Sequence, residues 1–202
     1  PGDFQSVELQ HGVIHESHQG YIYPKCINTA NSRFWGRKLL VYGEKTKTLL
    51  TQQSVFKDEQ IEVIGNPRVE MYKALFNSDK REKKYILFAS QPYEDDGICG
   101  DYYETMIAFL KEIQNILSAD ERWKGLSLAV KLHPRESIAA IQRYKEAIPD
   151  VIMLDNASQL YDILLESYVQ ITASSTSLYE AAEFDTPTVL VAFHDVYPEK
   201  VF

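Results

Sequence analysis

Four hydroxyl side chains stand together at Ser174, Ser175, Thr176 and Ser177, between an apolar run from Tyr168 to Ala173 and a segment whose apolar members are Leu178, Ala181 and Ala182. If the run is a buried strand and the segment a helix, the hydroxyls lie at the mouth of that helix. Its first backbone N–H groups are unpaired there, and the positive end of its dipole points outward. Hydroxyl donors from Ser174, Ser175 and Thr176 added to these groups suit a phosphate. Capping is the other reading, because Ser and Thr are ordinary N-cap residues and the spacing from Thr176 or Ser177 to Glu180 resembles a capping arrangement. Glu180, one turn into the helix, has a second candidate role, since a carboxylate there can reach a ribose hydroxyl.

Histidines supply the next candidates. In "KLHPRE", His133 follows an apolar strand, and Pro134 keeps it out of helical geometry. An imidazole at a strand end can donate to the phosphate of a leaving group, and it titrates near neutrality. The plainer alternative is a helix start with Pro134 at an early helical position. In "VELQHGV", His11 stands at a strand end before Gly12, which permits a tight turn. An exposed His in that place is a candidate general base, or a surface turn residue. His11, His15 and His18 are spaced as metal ligands on one helix face would be, but Gly12, Gly20 and the loop-like composition argue against a helix, and no metal site is expected.

Two further stretches are punctuation more than chemistry. Gly65–Asn66–Pro67 is a turn after a strand, with Pro67 suited to a helix start. Glu94, Asp95 and Asp96 form an acidic loop. Three carboxylates can bind a cation or act as a base; the favoured reading is a solvated loop that caps the following helix, hinged at Gly97 and Gly100.

The elements that must position these residues are legible from Lys84 onward. "KYILFAS", "LSLAVKLH", "VIMLD", "YVQITAS" and "PTVLVAF" read as strands. Between them, helices are expected over 101–117, 136–148, 159–167 and 177–183. Strands alternating with helices imply right-handed crossovers and a parallel sheet, and near-continuous apolar strands are those covered on both faces. The fold class is therefore α/β, a doubly wound parallel Rossmann-like sheet, with part of a second α/β lobe before it. In such a sheet, ligands bind beyond the carboxyl ends of the strands where the order reverses. With the common order 3-2-1-4-5, that rim collects Ser90 and Gln91 from the first strand, His133 from the second and Ser174 to Thr176 from the fourth. The amino-terminal part is less regular: "VELQ", "KLLVYG" and "IEVIG" read as strands, 68–76 as a helix and 15–34 as a long loop. "NSDKREKK" reads as a polar connector, which places residues 1–80 in one domain and 81–202 in another.

Composition bounds the partners. The 202 residues are 45% hydrophobic, enough for one good core or one core and part of another. A net charge of -8 excludes nucleic-acid phosphate as the main partner, since that needs a basic footprint. Two cysteines, Cys26 and Cys99, form no disulfide framework, so a reducing, cytoplasmic setting is expected. No apolar run approaches the roughly 18 residues of a spanning helix. The chain begins at Pro1 without Met, and a fragment of a longer protein is expected.

The order of motifs, QHG, then GNPR, then LHP, then SSTSxxEAA, resembles bacterial GT-B-type transferases of surface-polysaccharide synthesis, and is most similar to capsule-polysaccharide synthesis proteins and the CDP-glycerol glycerophosphotransferases. The HP element is also similar to that of sialyltransferases using CMP-sugars. The resemblance spans Glu8 to about Val191. It implies two Rossmann-like lobes, the first holding here only its final strands. It implies a nucleotide-activated donor, cytidine slightly favoured over uridine, a polysaccharide or lipid-linked acceptor, no metal and no other cofactor. His11 would act on the acceptor hydroxyl, His133 would stabilise the departing phosphate, and Ser174, Ser175 and Thr176 would hold it. This sequence has QHG in place of WHG and Glu70 in place of Asp, departures that favour sugar over glycerophosphate transfer. Peripheral association of the full-length protein with the inner face of the cytoplasmic membrane is plausible on the same grounds. Non-hydrolysing UDP-N-acetylglucosamine epimerases share a GN-type turn, an HP and a helix start with a glutamate, with glycines where Ser-Thr-Ser stands here. A non-catalytic nucleotide-binding scaffold is the third alternative.

Overall fold

The computed structural model describes residues 6–26, 38–76, 81–155, 158–173 and 175–192. Ser174 lies outside the described residues, as do 27–37, where part of the expected long loop falls. The chain folds as two compact units, Pro1–Asn77 and Ser78–Phe202.

In the first unit, three parallel strands, β1 (Val7–Leu9), β2 (Lys38–Val41) and β3 (Ile61–Val63), pair in the order β1-β2-β3. Parallel neighbours require a crossover. Between β2 and β3 it is α1 (Glu44–Gln53), a helix the sequence reading does not contain. Its sequence, EKTKTLLTQQ, offers one fully buried side chain, Leu50, so no apolar stripe announces it. After β3, Gly65 takes a left-handed φ of 78°. Asn66 then caps α2 (Pro67–Leu75) by accepting from the Arg68 N–H at 3.1 Å, with Pro67 in the first turn where no N–H is needed. Ile14, Tyr21, Leu39, Val41, Leu50, Phe56 and Ile61 make this unit's core.

The second unit carries β4 (Tyr85–Ala89), α3 (Tyr102–Ala119), β5 (Ser127–Lys131), α4 (Ile138–Ala147), β6 (Ile152–Leu154), α5 (Leu160–Glu166), β7 (Ser167–Thr172), α6 (Ser177–Glu183) and β8 (Thr188–Leu190). All five strands are parallel, in the order β6-β5-β4-β7-β8. Counted from β4 this is 3-2-1-4-5, the order expected from the sequence. Central β4 is buried almost throughout while edge β8 is mostly exposed, as burial on both faces of a doubly wound sheet dictates. Phe88, Leu110, Val130 and the fully buried Tyr102 and Tyr144 fill the space between sheet and helices. Helix α4 starts at Ile138, later than the expected 136, because residues 133–136 close a turn with Glu136 N–H donating to His133 C=O at 2.9 Å. The second half of the polar connector is docked against α5. Arg81 pairs with Asp162, Lys83 Nζ donates to Leu165 C=O, and the Lys84 N–H donates to Glu166 C=O. Among the described residues, no helix is long and apolar enough to cross a membrane.

Candidate functional site

The strands of the second unit end level. Ala89 of β4 pairs with Lys131 of β5 and with Thr172 of β7, and Lys131 in turn pairs with Leu154 of β6. Two residues past that line stand Gln91 and His133; beyond Thr172 the chain reaches Ser175 through Ser174. The order reverses between β4 and β7, so these residues share the rim where an α/β sheet takes its ligand. A buried hydrogen bond secures the reversal: Thr172 Oγ1 donates to Ala89 C=O at 2.8 Å and accepts from the Ser175 N–H at 3.3 Å.

At the mouth of α6 the capping differs from the expected pattern. Thr176 has helical φ and ψ and makes no side-chain cap bond. Ser175 caps in its place: its Oγ accepts from Ser177 N–H at 3.3 Å and lies 2.8 Å from Ser177 Oγ. Ser177 is buried, and its Oγ also accepts from Gln170 Nε2 at 2.9 Å. Ser177 is thus fixed from below, Ser175 is partly exposed, and the Thr176 side chain faces solvent. Glu180 is half-buried in the first turn of α6.

Ser90 and Gln91 extend β4 in different ways. Ser90 is buried; its Oγ donates to Glu136 Oε1 at 2.7 Å and lies 3.2 Å from the Tyr144 hydroxyl. Its hydroxyl is therefore bound into the protein. Gln91 is half-buried, with its N–H on the Tyr102 hydroxyl at 3.1 Å and Nε2 on the Ser90 carbonyl. His133 is half-buried too. Burial, and then the Arg135 guanidinium, push its imidazole below the ordinary histidine range, which favours the neutral ring. Its Nδ1 accepts from the Arg135 N–H at 3.2 Å. A backbone N–H can only donate, so the ring's own proton sits on Nε2.

The acidic loop does more than cap. Glu94 Oε2 accepts from the Tyr103 N–H in the first turn of α3, as expected. Asp95 and Asp96 instead reach the turn after β5. Asp95 Oδ2 accepts from the Ser137 N–H and the Tyr103 hydroxyl, each at 2.8 Å, while Asp96 pairs with Arg135 at 3.0 Å and Glu94 with Arg143. Gly97 has a left-handed φ of 69°, and the loop folds back through Ile98 N–H on Tyr93 C=O. Among the described residues, no group of three or more His, Cys, Asp or Glu could hold a metal ion.

His11 lies in the other unit, exposed beyond β1. Gly12 does not take a left-handed φ, and a Cβ there would meet nothing. The chain's course is set by Gln10, which is buried and accepts from Tyr42 N–H at 2.8 Å while its Nε2 donates to Gly12 C=O at 2.6 Å. The His11 Nδ1 stands 3.1 Å from the hydroxyl of buried Tyr21. Burial, and then the Glu8 side chain, raise that hydroxyl well above the ordinary tyrosine range, so it stays protonated.

Sequence reasoning did not single out Glu136, Lys131, Tyr103 or Tyr144. Glu136 carried a legible signal, a carboxylate three residues after His133 in "HPRE". Lys131, at the last paired position of β5, donates from Nζ to Asp155 C=O at 2.8 Å.

This geometry defines an α/β protein with Rossmann-like parallel sheets of three and five strands. No family model and no curated protein sequence matches the chain. Solved structures do match. The S. aureus MnaA–UDP co-structure aligns at a TM-score of 0.57 and 15% identity, over 81% of this chain and 43% of that one. UDP-GlcNAc 2-epimerase from Neisseria meningitidis, bound to UDP-GlcNAc, aligns at 0.54 and 17%, over 82% and 47%. The Methanocaldococcus jannaschii UDP-GlcNAc 2-epimerase in complex with UDP-GlcNAc and UDP aligns at 0.50 and 14%, over 82% and 48%. The chain spans less than half the length of each. At these identities the likeness establishes the fold, that of GT-B-type lobes.

Proposed function

We propose that the Ser78–Phe202 unit holds the nucleoside-diphosphate end of a nucleotide-activated donor at the carboxyl rim of β4, β5 and β7. The level strand ends at the order reversal carry this reading, because they bring Gln91, the neutral His133 and the hydroxyl-rich start of α6 to one edge. The Nε2–H of His133 would donate to a phosphate oxygen, Ser175, Thr176 and backbone N–H groups would add donors, and Glu180 would reach the ribose. Ser90 would serve through Glu136 and not by direct contact. Three of the matching structures hold UDP or UDP-GlcNAc, in keeping with such an occupant.

The reaction proposed is transfer of a sugar or polyol phosphate to a surface-polysaccharide or lipid-linked acceptor, at the inner face of the cytoplasmic membrane. In sugar transfer the acceptor oxygen forms the new bond to the sugar carbon as the bond to the leaving phosphate breaks. The acceptor's proton passes to His11, and the charge departs on the nucleotide. No metal or further cofactor is invoked. The motif order supports this reading. Epimerisation of a UDP-sugar is the second reading, favoured by the 2-epimerases among the matching folds. Calorimetric titration with UDP, UMP, CDP and CMP tests the site: one nucleotide binds, and His133→Ala weakens it about 10- to 100-fold, the worth of a hydrogen bond to a charged group. No binding by a folded sample overturns the proposal. Conversion of UDP-GlcNAc without acceptor would select the epimerase reading.

A further inference from the structure

We propose that Glu136 is the positioning residue of this rim, its side chain bridging the ends of β4 and β5 and thereby fixing the turn that carries His133. The inference rests on the reading of His133 as a phosphate donor. One carboxylate oxygen, Oε1, accepts from Ser90 Oγ at 2.7 Å; the other, Oε2, accepts from the His133 N–H. The two strand ends are thus joined by one side chain, from residues 46 apart in sequence.

The bridge is expensive. Burial raises the Glu136 carboxyl above the ordinary range, against the lowering pull of Ser90, the His133 N–H and Tyr103. A desolvated carboxylate costs stability that its hydrogen bonds only partly return. What it secures is geometry. The turn is held at its start by Glu136 on the His133 N–H and at its end by Asp95 on the Ser137 N–H. Asp96 holds the Arg135 side chain between them. So braced, the Arg135 N–H stays on His133 Nδ1, and the imidazole keeps its proton on Nε2. Behind the bridge, the Tyr144 hydroxyl meets Ser90 Oγ at 3.2 Å, so Ser90 is fixed from the core.

Three variants of the 202-residue chain test this: Glu136→Ala, Glu136→Gln and Ser90→Ala. The first readout needs no ligand. In the unaltered chain, the His133 amide proton resonance moves with pH in a step that Glu136→Gln removes, while the steps due to the His133 ring, Asp95 and Asp96, which face the same turn, remain. The second is UDP affinity by calorimetry. Glu136→Ala weakens it about tenfold by releasing the turn. Glu136→Gln, which can still accept from the His133 N–H and donate to Ser90 Oγ, restores it to within about threefold, and Ser90→Ala falls between. Unchanged UDP affinity in folded Glu136→Ala overturns the proposal. So does a His133 amide pH profile that is the same in the unaltered chain and in Glu136→Gln, and that result stands even if Glu136→Ala does not fold. If the unaltered chain binds no nucleotide while its His133 amide titrates as expected, the phosphate reading fails and the bridge survives it.

Discussion

Both units place a histidine two residues beyond a strand, and they hold it differently. Beyond β1, His11 meets the Tyr21 hydroxyl ten residues away, and the Gln10 side chain holds the following turn through the Gly12 C=O. Beyond β5, His133 belongs to a lattice that joins β4, β5 and two loops through Glu136, Ser90, Asp95 and Asp96. The strands match this contrast. All three residues of β1 are exposed, whereas four of the five in β4 are buried. A central strand covered on both faces transmits position across the sheet.

The largest break in this comparison comes from the cores. Phe88, fully buried in β4, should cost about 3–5 kcal/mol on replacement by Ala. Val7→Ala in β1, where the side chain is 58% exposed, should change stability by no more than about 0.5 kcal/mol. Urea unfolding measures both, and comparable losses would deny the contrast. A smaller effect, about 1 kcal/mol, is expected from Tyr21→Phe, which removes the hydroxyl facing His11. Nucleotide affinity should stay unchanged in that variant, and a large loss of affinity would mean that His11 and the nucleotide rim are not separable.

The subtlest effect is in pH. Burial works to raise Asp95, but the Ser137 N–H, the Tyr103 hydroxyl and Arg143 outweigh it, and the carboxyl lies below the ordinary range. Its contribution is present above about pH 4 and lost as pH falls through the lowered value. Glu136 has the opposite sign: the folded state favours its protonated form. Its contribution is complete below about pH 4.3 and lost as pH rises through the raised value. The urea midpoint of Glu136→Gln should therefore gain on the unaltered chain as pH rises from about 4 to 7. A constant gap would show that the carboxylate bears no such penalty.

How much of this was legible depended on where each signal lies. The strands of the second unit are continuous apolar runs, and their order and the rim follow from crossover rules acting on them. Helix α1 left no trace because EKTKTLLTQQ buries so little. Ser90 looked like a ligand because it ends a strand, and only the fold shows its hydroxyl turned to Glu136. Asp95 and Asp96 are exposed, as a solvated loop should be; that the loop also braces the turn after β5 was not legible, because Ser137, Arg135 and Arg143 are 39 to 49 residues away. Capping by Ser175 and not Thr176 turns on one residue's φ and ψ, which composition does not resolve.

The central claim is that phosphate meets this chain at the rim of β4, β5 and β7. The most direct measurement is a backbone-amide NMR map of the chain during titration with UDP and CDP. The largest shifts are expected at Gln91, His133 to Glu136 and Ser175 to Leu178. Saturable shifts clustered elsewhere, with those residues unmoved, would contradict it.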